Sequence, residues 1–440
     1  MSKIIVVTVP VEGHFNPFVP IITKLVQNGH NVICFAGRKF QKKVENIGAT
    51  FLPPPQKWDT SIQETYDVFP ELRNKSGLAQ LKLYIKLVMF DPVPDLINEL
   101  KNFIDNFQPD LIISDSFLIV GSWVTEFYNI PSVRISVLPL SIPGKNIPPF
   151  GLGLLPAKSL FAKLKNNFLR LLFNKLLFND VQKYGEEIRN RIGLPALGKS
   201  FVKKEFENAN LFLHTSIPNF EYPREEFPSI FRFIGPIITT PNINYKMPEW
   251  WPEIEKDVPV VLINQGTVSK DYDDLILPAI EALKNEKIIV IAVPVKEGEI
   301  MNLPENVHTE LYIPFGNILP YIDLLITNGG FGGTQNALAY GIPIIIAGAT
   351  EDKMEVAARL EYSGAGINLR NQKPTSKSIL KAFRKIMSDH SYKQKAKELK
   401  EHYAKFDAPV LAISMIEELL EKQANRKLMP TNHNTKRNGS

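Results

Sequence analysis

Short runs rich in Val and Ile alternate along the chain with longer segments of helix-like pattern. Runs of that composition suit strands buried on both faces, and the longer segments suit helices that cover them, so the pattern predicts an α/β fold built on parallel sheets. Strands are predicted at residues 3–9, 31–36, 111–114, 132–136 and 211–215 in the first half, and at 259–264, 287–293, 324–327 and 343–347 in the second. Two Rossmann-like, doubly wound domains follow, residues 1–235 and 258–407, joined by a proline-rich linker without periodicity at 236–257. A last helix is predicted at 408–422, then a polar, aperiodic and mobile tail at 423–440. In such an arrangement a ligand sits in the cleft between the domains, facing the carboxyl ends of both sheets.

Composition narrows the function. A length of 440 residues exceeds one hydrophobic core. The net charge of +5 arises from 51 basic and 46 acidic residues mixed along the chain, which argues against a nucleic-acid partner. Cys34 is the single cysteine, so neither an internal disulfide nor a thiolate metal cluster can form, and a reducing, cytoplasmic location is expected. Residues 1–10 read as a first strand instead of a signal peptide, and no apolar stretch approaches the roughly 18 residues of a membrane span, so no stable membrane anchor is expected. One segment stands apart: residues 158–178 are basic, lack any acidic residue and are apolar on more than one face. A membrane-surface helix has this composition, and so does a pair of helices covering a greasy pocket; the pocket is the expectation, because the chain offers no second anchor.

Candidate chemistry clusters where strands end. His14, in Pro10-Val-Glu-Gly-His-Phe-Asn-Pro17, is expected on the loop after the first strand, with Asn16 capping and Pro17 opening the helix at 18–27. Gly13 beside it leaves room for a ligand. Asp115 ends the strand at 111–114 on the same sheet edge, where its carboxylate can hold the proton on one imidazole nitrogen and leave the other as a base. Local hydrogen bonding by His14, and capping by Asp115 of a helix at 117–127, are the plainer alternatives. In the second domain the strand at 324–327 runs through Asn328-Gly-Gly-Phe-Gly-Gly-Thr334 into a helix at 334–340. Glycines and the amides at a helix start make a site for a diphosphate.

This block resembles the donor-binding signature of the nucleotide-sugar glycosyltransferases that act on lipophilic natural products, the macrolide and flavonoid (UDP-glycosyltransferase-like) group of GT-B fold. The His14 loop, Asp115, Gly266-Thr267, residues 312–339 and Thr350-Glu-Asp-Lys353 occur in that group's order, so the resemblance spans nearly the whole chain. It implies two Rossmann-like domains facing a cleft, and an inverting transfer of a sugar, glucose by default, from a UDP-sugar to a small lipophilic acceptor. Flavonoids, other phenolics, macrolides, terpenoids and xenobiotics, as in detoxification, are the acceptor classes implied. His14 would be the base and Asp115 its partner. Tyr312 would stack on uracil beside the Ile313 backbone, while Gly330, Gly332, Gly333, Thr334 and Thr267 would hold the phosphates and Asp352 and Lys353 the sugar. Three positions depart from the group's pattern: Asn328 replaces a phosphate-binding histidine, Asn336 a ribose-binding glutamate and Lys353 a glutamine.

No cofactor and no metal are expected, with the nucleotide sugar as co-substrate and a monomer or weak oligomer as the working form. Asp271-Tyr-Asp273 has a metal-binding spacing, but it precedes a helix and is read as a cap. A GT-B sugar-nucleotide epimerase and a noncatalytic nucleotide-sugar binding protein are the alternatives. A nicotinamide oxidoreductase lacks the Gly-x-Gly-x-x-Gly that would follow the first strand.

Overall fold

Successive residues of the first strand point alternately into two separate cores: Ile4 and Val6 into one, Ile5 and Val7 into the other. A strand so placed must be covered on both faces. In the computed structural model, which describes residues 1–74, 77–157, 159–172, 179–198, 206, 208–254, 257–266, 271–294, 303–349 and 352–428, it lies in the middle of a seven-stranded sheet. The strands are β1 (Lys3–Val7), β2 (Asn31–Phe35), β3 (Thr50–Leu52), β4 (Leu111–Asp115), β5 (Ser132–Ser136), β6 (Leu211–His214) and β7 (Phe231–Phe233), in the order β3-β2-β1-β4-β5-β6-β7. All pairings are parallel, and Val7 lies beside Ser114 across β1 and β4.

The second sheet repeats the plan. It holds β8 (Val260–Asn264), β9 (Ile289–Val293), β10 (Val307–Thr309), β11 (Leu324–Thr327), β12 (Ile344–Ile346) and β13 (Gly366–Asn368) in the order β10-β9-β8-β11-β12-β13, again parallel throughout. Val260 and Leu262 face one core, Val261 and Ile263 the other. Each sheet therefore reverses its strand order once, between β1 and β4 and between β8 and β11, which places a crevice at the carboxyl ends of those strands. Six helices matter below: α1 (Val19–Gln27), α2 (Ile119–Tyr128), α3 (Leu160–Leu172), α4 (Phe331–Ala339), α5 (Lys353–Ser363) and α6 (Ala408–Leu428).

Three expectations change. The last helix does not stop at 422: α6 continues through Leu428, as the helix-favouring sequence Glu421-Lys-Gln-Ala-Asn-Arg-Lys-Leu428 permits, and only 429–440 of the expected tail lie outside the described residues. α6 also packs on the first domain, where Ala412, Ile413 and Ile416 join Ile4, Phe18 and Ile22 in one core. The proline-rich linker, for which no packing was expected, is anchored. Trp251 and Ile254 are buried in the second domain's core, and Trp250 stacks on His308 at 5.0 Å.

The third change concerns α3. Leu160, Phe161, Leu164, Phe168 and Leu171 are each more than 60% exposed, while Asn166 is the buried residue, so the apolar face of α3 looks outward and, among the described residues, is not packed over a pocket. Arg170 on its inner side donates to the carbonyls of Gly144 and Ile147 and holds the preceding loop. Lys158 and residues 173–178 lie outside the described residues. Among the described residues no helix is long and apolar enough to cross a membrane.

Candidate active site

Phe15 and Phe18 are wholly buried, and Phe15 stacks on Phe40 at 4.2 Å. These anchors wind the chain after β1 into a helical turn, Glu12–Phe15, followed by a tighter turn, Asn16–Phe18, before α1. His14 therefore stands on a helical turn, not on an open loop. Asn16 already has a helical backbone (φ −57°, ψ −38°) and accepts from Lys43 Nζ instead of capping α1, because no free helix start exists there. Gly13 is exposed, and a Cβ at its position would meet nothing within 4 Å.

His14 Nδ1 lies 2.7 Å from Asp115 Oδ2, bringing the turn that follows β1 against the last residue of its neighbour β4 at the first switch point. Asp115 is fully buried and the His14 side chain is 14% exposed. The other carboxylate oxygen accepts from Phe117 N at 2.8 Å. Asp115 thus closes a local turn as well as binding the histidine, although it does not cap α2, whose N-cap position is Leu118. A buried carboxylate on Nδ1 selects the tautomer with the lone pair on Nε2 and stabilises the imidazolium that forms when Nε2 takes a proton. Phe117 lies 5.3 Å from the His14 ring and Tyr84 6.3 Å from Phe117, giving the histidine an aromatic wall that the sequence pattern did not disclose.

At the second switch point β11 leads through Asn328-Gly329-Gly330 into α4. Gly329 has φ +90°, and a Cβ there would sit 2.6 Å from Ile346 Cγ2; a Cβ on Gly348 would sit 1.9 Å from Asn328 O. Only glycines let the ends of β11 and β12 pass this closely. Gly330 occupies the N-cap position of α4 with no side chain to cap it, and the first amides of a helix have no intrahelical acceptor. Gly332 is exposed, with open space where its Cβ would be. Thr334 Oγ1 is buried without a hydrogen-bond partner among the described residues.

The three departing residues are placed as follows. Asn328 is buried and donates Nδ2 to Gln265 O, tying the β8 and β11 loops together. Asn336 does not present its amide to the cleft. Its oxygen accepts from Thr239 N at 2.9 Å and Thr239 Oγ1 at 3.0 Å, and its nitrogen donates to Ile237 O at 3.1 Å and Gly332 O at 2.9 Å. All four hydrogen-bonding positions of the amide are used, three of them to hold the linker on α4 and one within α4 itself. Lys353 is the buried first residue of α5, with Asp352 at the N-cap position, and it lines a small cavity with Gln265, Asp274, Asn328 and Gly348.

Tyr312 is 68% exposed, so its ring offers a face for stacking, while Ile313 is buried and anchors the segment. Thr267 lies outside the described residues, as do Thr350 and Glu351. Gln265, buried and bonded to Asp271 O and Ile276 N, organises the β8 loop and went unmarked in the sequence because only its neighbours carry the motif. Asp271 Oδ1 accepts from Asp273 N, a capping arrangement. Among the described residues no three His, Cys, Asp or Glu side chains group as a metal site. Cys34 is buried, which pushes its thiol up to about 12, so it stays protonated and inert.

Comparison with known proteins agrees with this layout. Residues 274–419 match the erythromycin biosynthesis protein CIII-like C-terminal domain. The chain is 33% identical over 419 residues to 4'-demethylrebeccamycin synthase of Lentzea aerocolonigenes, covering 95% of this chain and 100% of that protein. It is 28% identical over 424 residues to the UDP-glucosyltransferase avaP of Aspergillus versicolor, covering 90% and 92%. Among solved structures, the calicheamicin glycosyltransferase CalG4 superposes with a TM-score of 0.71 at 20% identity over 96% of this chain and 99% of its own. The spinosyn rhamnosyltransferase SpnG, solved with thymidine diphosphate and with spinosyn aglycone, gives TM-scores of 0.64 and 0.65 at 17% identity over 95% of this chain and 100% of its own. These likenesses do not favour an epimerase or a noncatalytic binding protein. Two parallel doubly wound sheets, with a relative 33% identical over 95% of the chain, make the chain a glycosyltransferase of the macrolide-type UDP-glycosyltransferase family.

Proposed function

We propose that the chain transfers glucose from UDP-glucose to a hydroxyl of a small lipophilic natural product, with inversion at the anomeric carbon and without a metal. The observation that carries this is the 2.7 Å bond from Asp115 to His14 Nδ1, which poises Nε2 as a base at the cleft. The acceptor oxygen attacks the anomeric carbon as its proton passes to His14 Nε2, and the bond from that carbon to the phosphate oxygen breaks on the opposite face. The departing UDP takes the negative charge, and the uncapped start of α4 and the unpartnered Thr334 hydroxyl support its stabilisation there. A metal is not needed for that charge when a helix start and buried donors meet it.

Supporting an aromatic or otherwise apolar acceptor is the wall formed by Phe117 and Tyr84 beside His14. Supporting glucose and uridine is the Aspergillus relative's name as a UDP-glucosyltransferase, and supporting stacking on the base is the exposed Tyr312 ring. The thymidine diphosphate held by SpnG makes deoxythymidine donors the natural competitors in the test. UDP-glucose, UDP-galactose and dTDP-glucose are offered with flavonol, macrolide and terpenoid alcohols in the presence of a strong chelator, and products are read by mass. Glucosylated product from UDP-glucose under chelation is expected. Product only from another donor, or only after a divalent ion is restored, overturns the corresponding part.

A further inference from the structure

Three consecutive backbone amides of the first domain converge on one side chain of the second. Glu355 Oε1 accepts from Gly151 N at 2.8 Å, Leu152 N at 3.1 Å and Gly153 N at 3.0 Å. Its other oxygen accepts from Arg359 Nη1 at 2.8 Å, and Arg359 Nε donates in turn to Glu221 Oε2 of the first domain at 2.6 Å. Glu355 is 2% exposed and Arg359 1%. Consecutive amides turned toward one point form a concave anion site, and here the anion is a buried carboxylate from the opposite domain.

The position of this contact gives it a role in the reaction. The loop at 151–153 belongs to the connection leaving the carboxyl end of β5, whose Ile135 lies beside Asp115. Glu355 stands in the first turn of α5, three residues after Asp352 and two after Lys353, the pair expected at the sugar. Gly153 (φ +57°) approaches so closely that a Cβ on it would lie 2.9 Å from Met354 Cβ and 3.0 Å from Met354 O, and Gly151 has φ +94°. Side chains at these two glycines would be strained by the backbone alone.

We propose that Glu355 is a positioning residue: it ties the acceptor-side loop at 151–153 to the sugar end of the donor domain, so that the acceptor is seated only when the donor half is in register. The residue touches neither reactant, and it acts through the loop it holds. The inference rests on the donor and acceptor assignment above.

Glu355→Ala leaves Arg359 with one carboxylate fewer in a buried site and invites misfolding, so the decisive variant is Gly153→Ala, which pushes the loop off the start of α5 and keeps the Glu355, Arg359 and Glu221 side chains unsubstituted. Hydrogen exchange at the amides of 151–153, UDP affinity by calorimetry, and acceptor KM and kcat with UDP-glucose are measured on the unmutated chain, on Gly153→Ala and on Glu355→Gln. Expected in both variants are amide exchange faster by about tenfold or more and an acceptor KM several-fold higher, with UDP affinity unchanged. Unchanged exchange overturns the tie, and faster exchange with unchanged acceptor KM, or with equal losses for donor and acceptor, overturns the positioning role. Lack of transfer by the unmutated chain overturns the assignment on which the role rests and the role with it, while UDP binding still reports on the donor site separately.

Discussion

His14→Ala removes the imidazole but leaves the helical turn, because Phe15 and Phe18 hold it. The loss therefore falls on proton transfer, about 10²–10⁴-fold in kcat for an alcohol acceptor, with UDP affinity unchanged. Asp115→Ala lowers kcat less, and activity near the unmutated level in His14→Ala on such an alcohol shows the base assignment to be wrong. A phenol is the poorer probe, since it ionises readily without help. Tyr312→Ala weakens UDP binding by about 1–3 kcal/mol if the exposed ring stacks on the base, measured by calorimetry. Asn336 teaches the opposite lesson about substitution by analogy. Restoring the glutamate of related enzymes inserts a carboxylate beside the carbonyls of Ile237 and Gly332, where the amide nitrogen now donates to both. Asn336→Glu is expected to destabilise the fold by about 1–3 kcal/mol in thermal unfolding without tightening UDP binding. Tighter UDP binding by a stable variant would return Asn336 to the ribose. Its residue type was legible in the sequence, but its partners were not, since Thr239 and Ile237 come from a linker that has no motif.

If the donor diphosphate binds at the start of helix α4, as proposed, its first-turn glycines should separate folding from binding. Gly332 lacks a positive φ and has open space at its Cβ position. Gly332→Ala is expected to leave the unfolding midpoint unchanged or raised, since alanine is the better helix former, while weakening UDP binding by intruding on the approach to the amides. Undiminished binding in calorimetry would move the diphosphate elsewhere. The strands beside this site were readable because they are buried on both faces and so carry runs rich in Val, Ile and Leu, even where Ser114 and Arg134 interrupt them. The four that the apolar pattern passes over are β3, β7, β10 and β13, three residues each, and they are the edges of the two sheets. An edge strand of that length needs no continuous apolar run, and Thr50, Arg232, His308 and Asn368 show it. α3 misled for a related reason: a greasy helix was expected to cover something, yet periodicity reports that a face is apolar and says nothing of which way it points.

Between the domains the chain buries charge, and this makes the whole molecule sensitive to acid. His214, at the end of β6, is fully buried with Nε2 3.1 Å from Glu221 Oε1, while its Nδ1 has no hydrogen-bond partner among the described residues. Burial, helped by the nearby Arg359 and Arg224 charges and opposed by Glu221, holds the His214 pKa below its ordinary value. For Glu221 burial acts upward but is outweighed by Arg359 and His214, so its carboxyl stays ionised well below the usual range. Both shifts have the same sign for stability. Below about pH 6.5 the unfolded chain binds a proton at His214 that the folded chain refuses, and below about pH 4.5 the same holds at Glu221, so stability falls as pH falls through each value. A protonated His214 would also bury an N–H at Nδ1 with nothing to receive it. Between pH 7 and pH 5 the unfolding midpoint should therefore drop, ahead of the range where carboxylates titrate. His214→Gln can keep a donor toward Glu221 but does not titrate, and it should flatten that slope even if it lowers the midpoint at pH 7. An unmutated chain with equal midpoints at pH 7 and pH 5, or a His214→Gln chain with the unmutated slope, would mean that the acid response arises away from the contact between the domains.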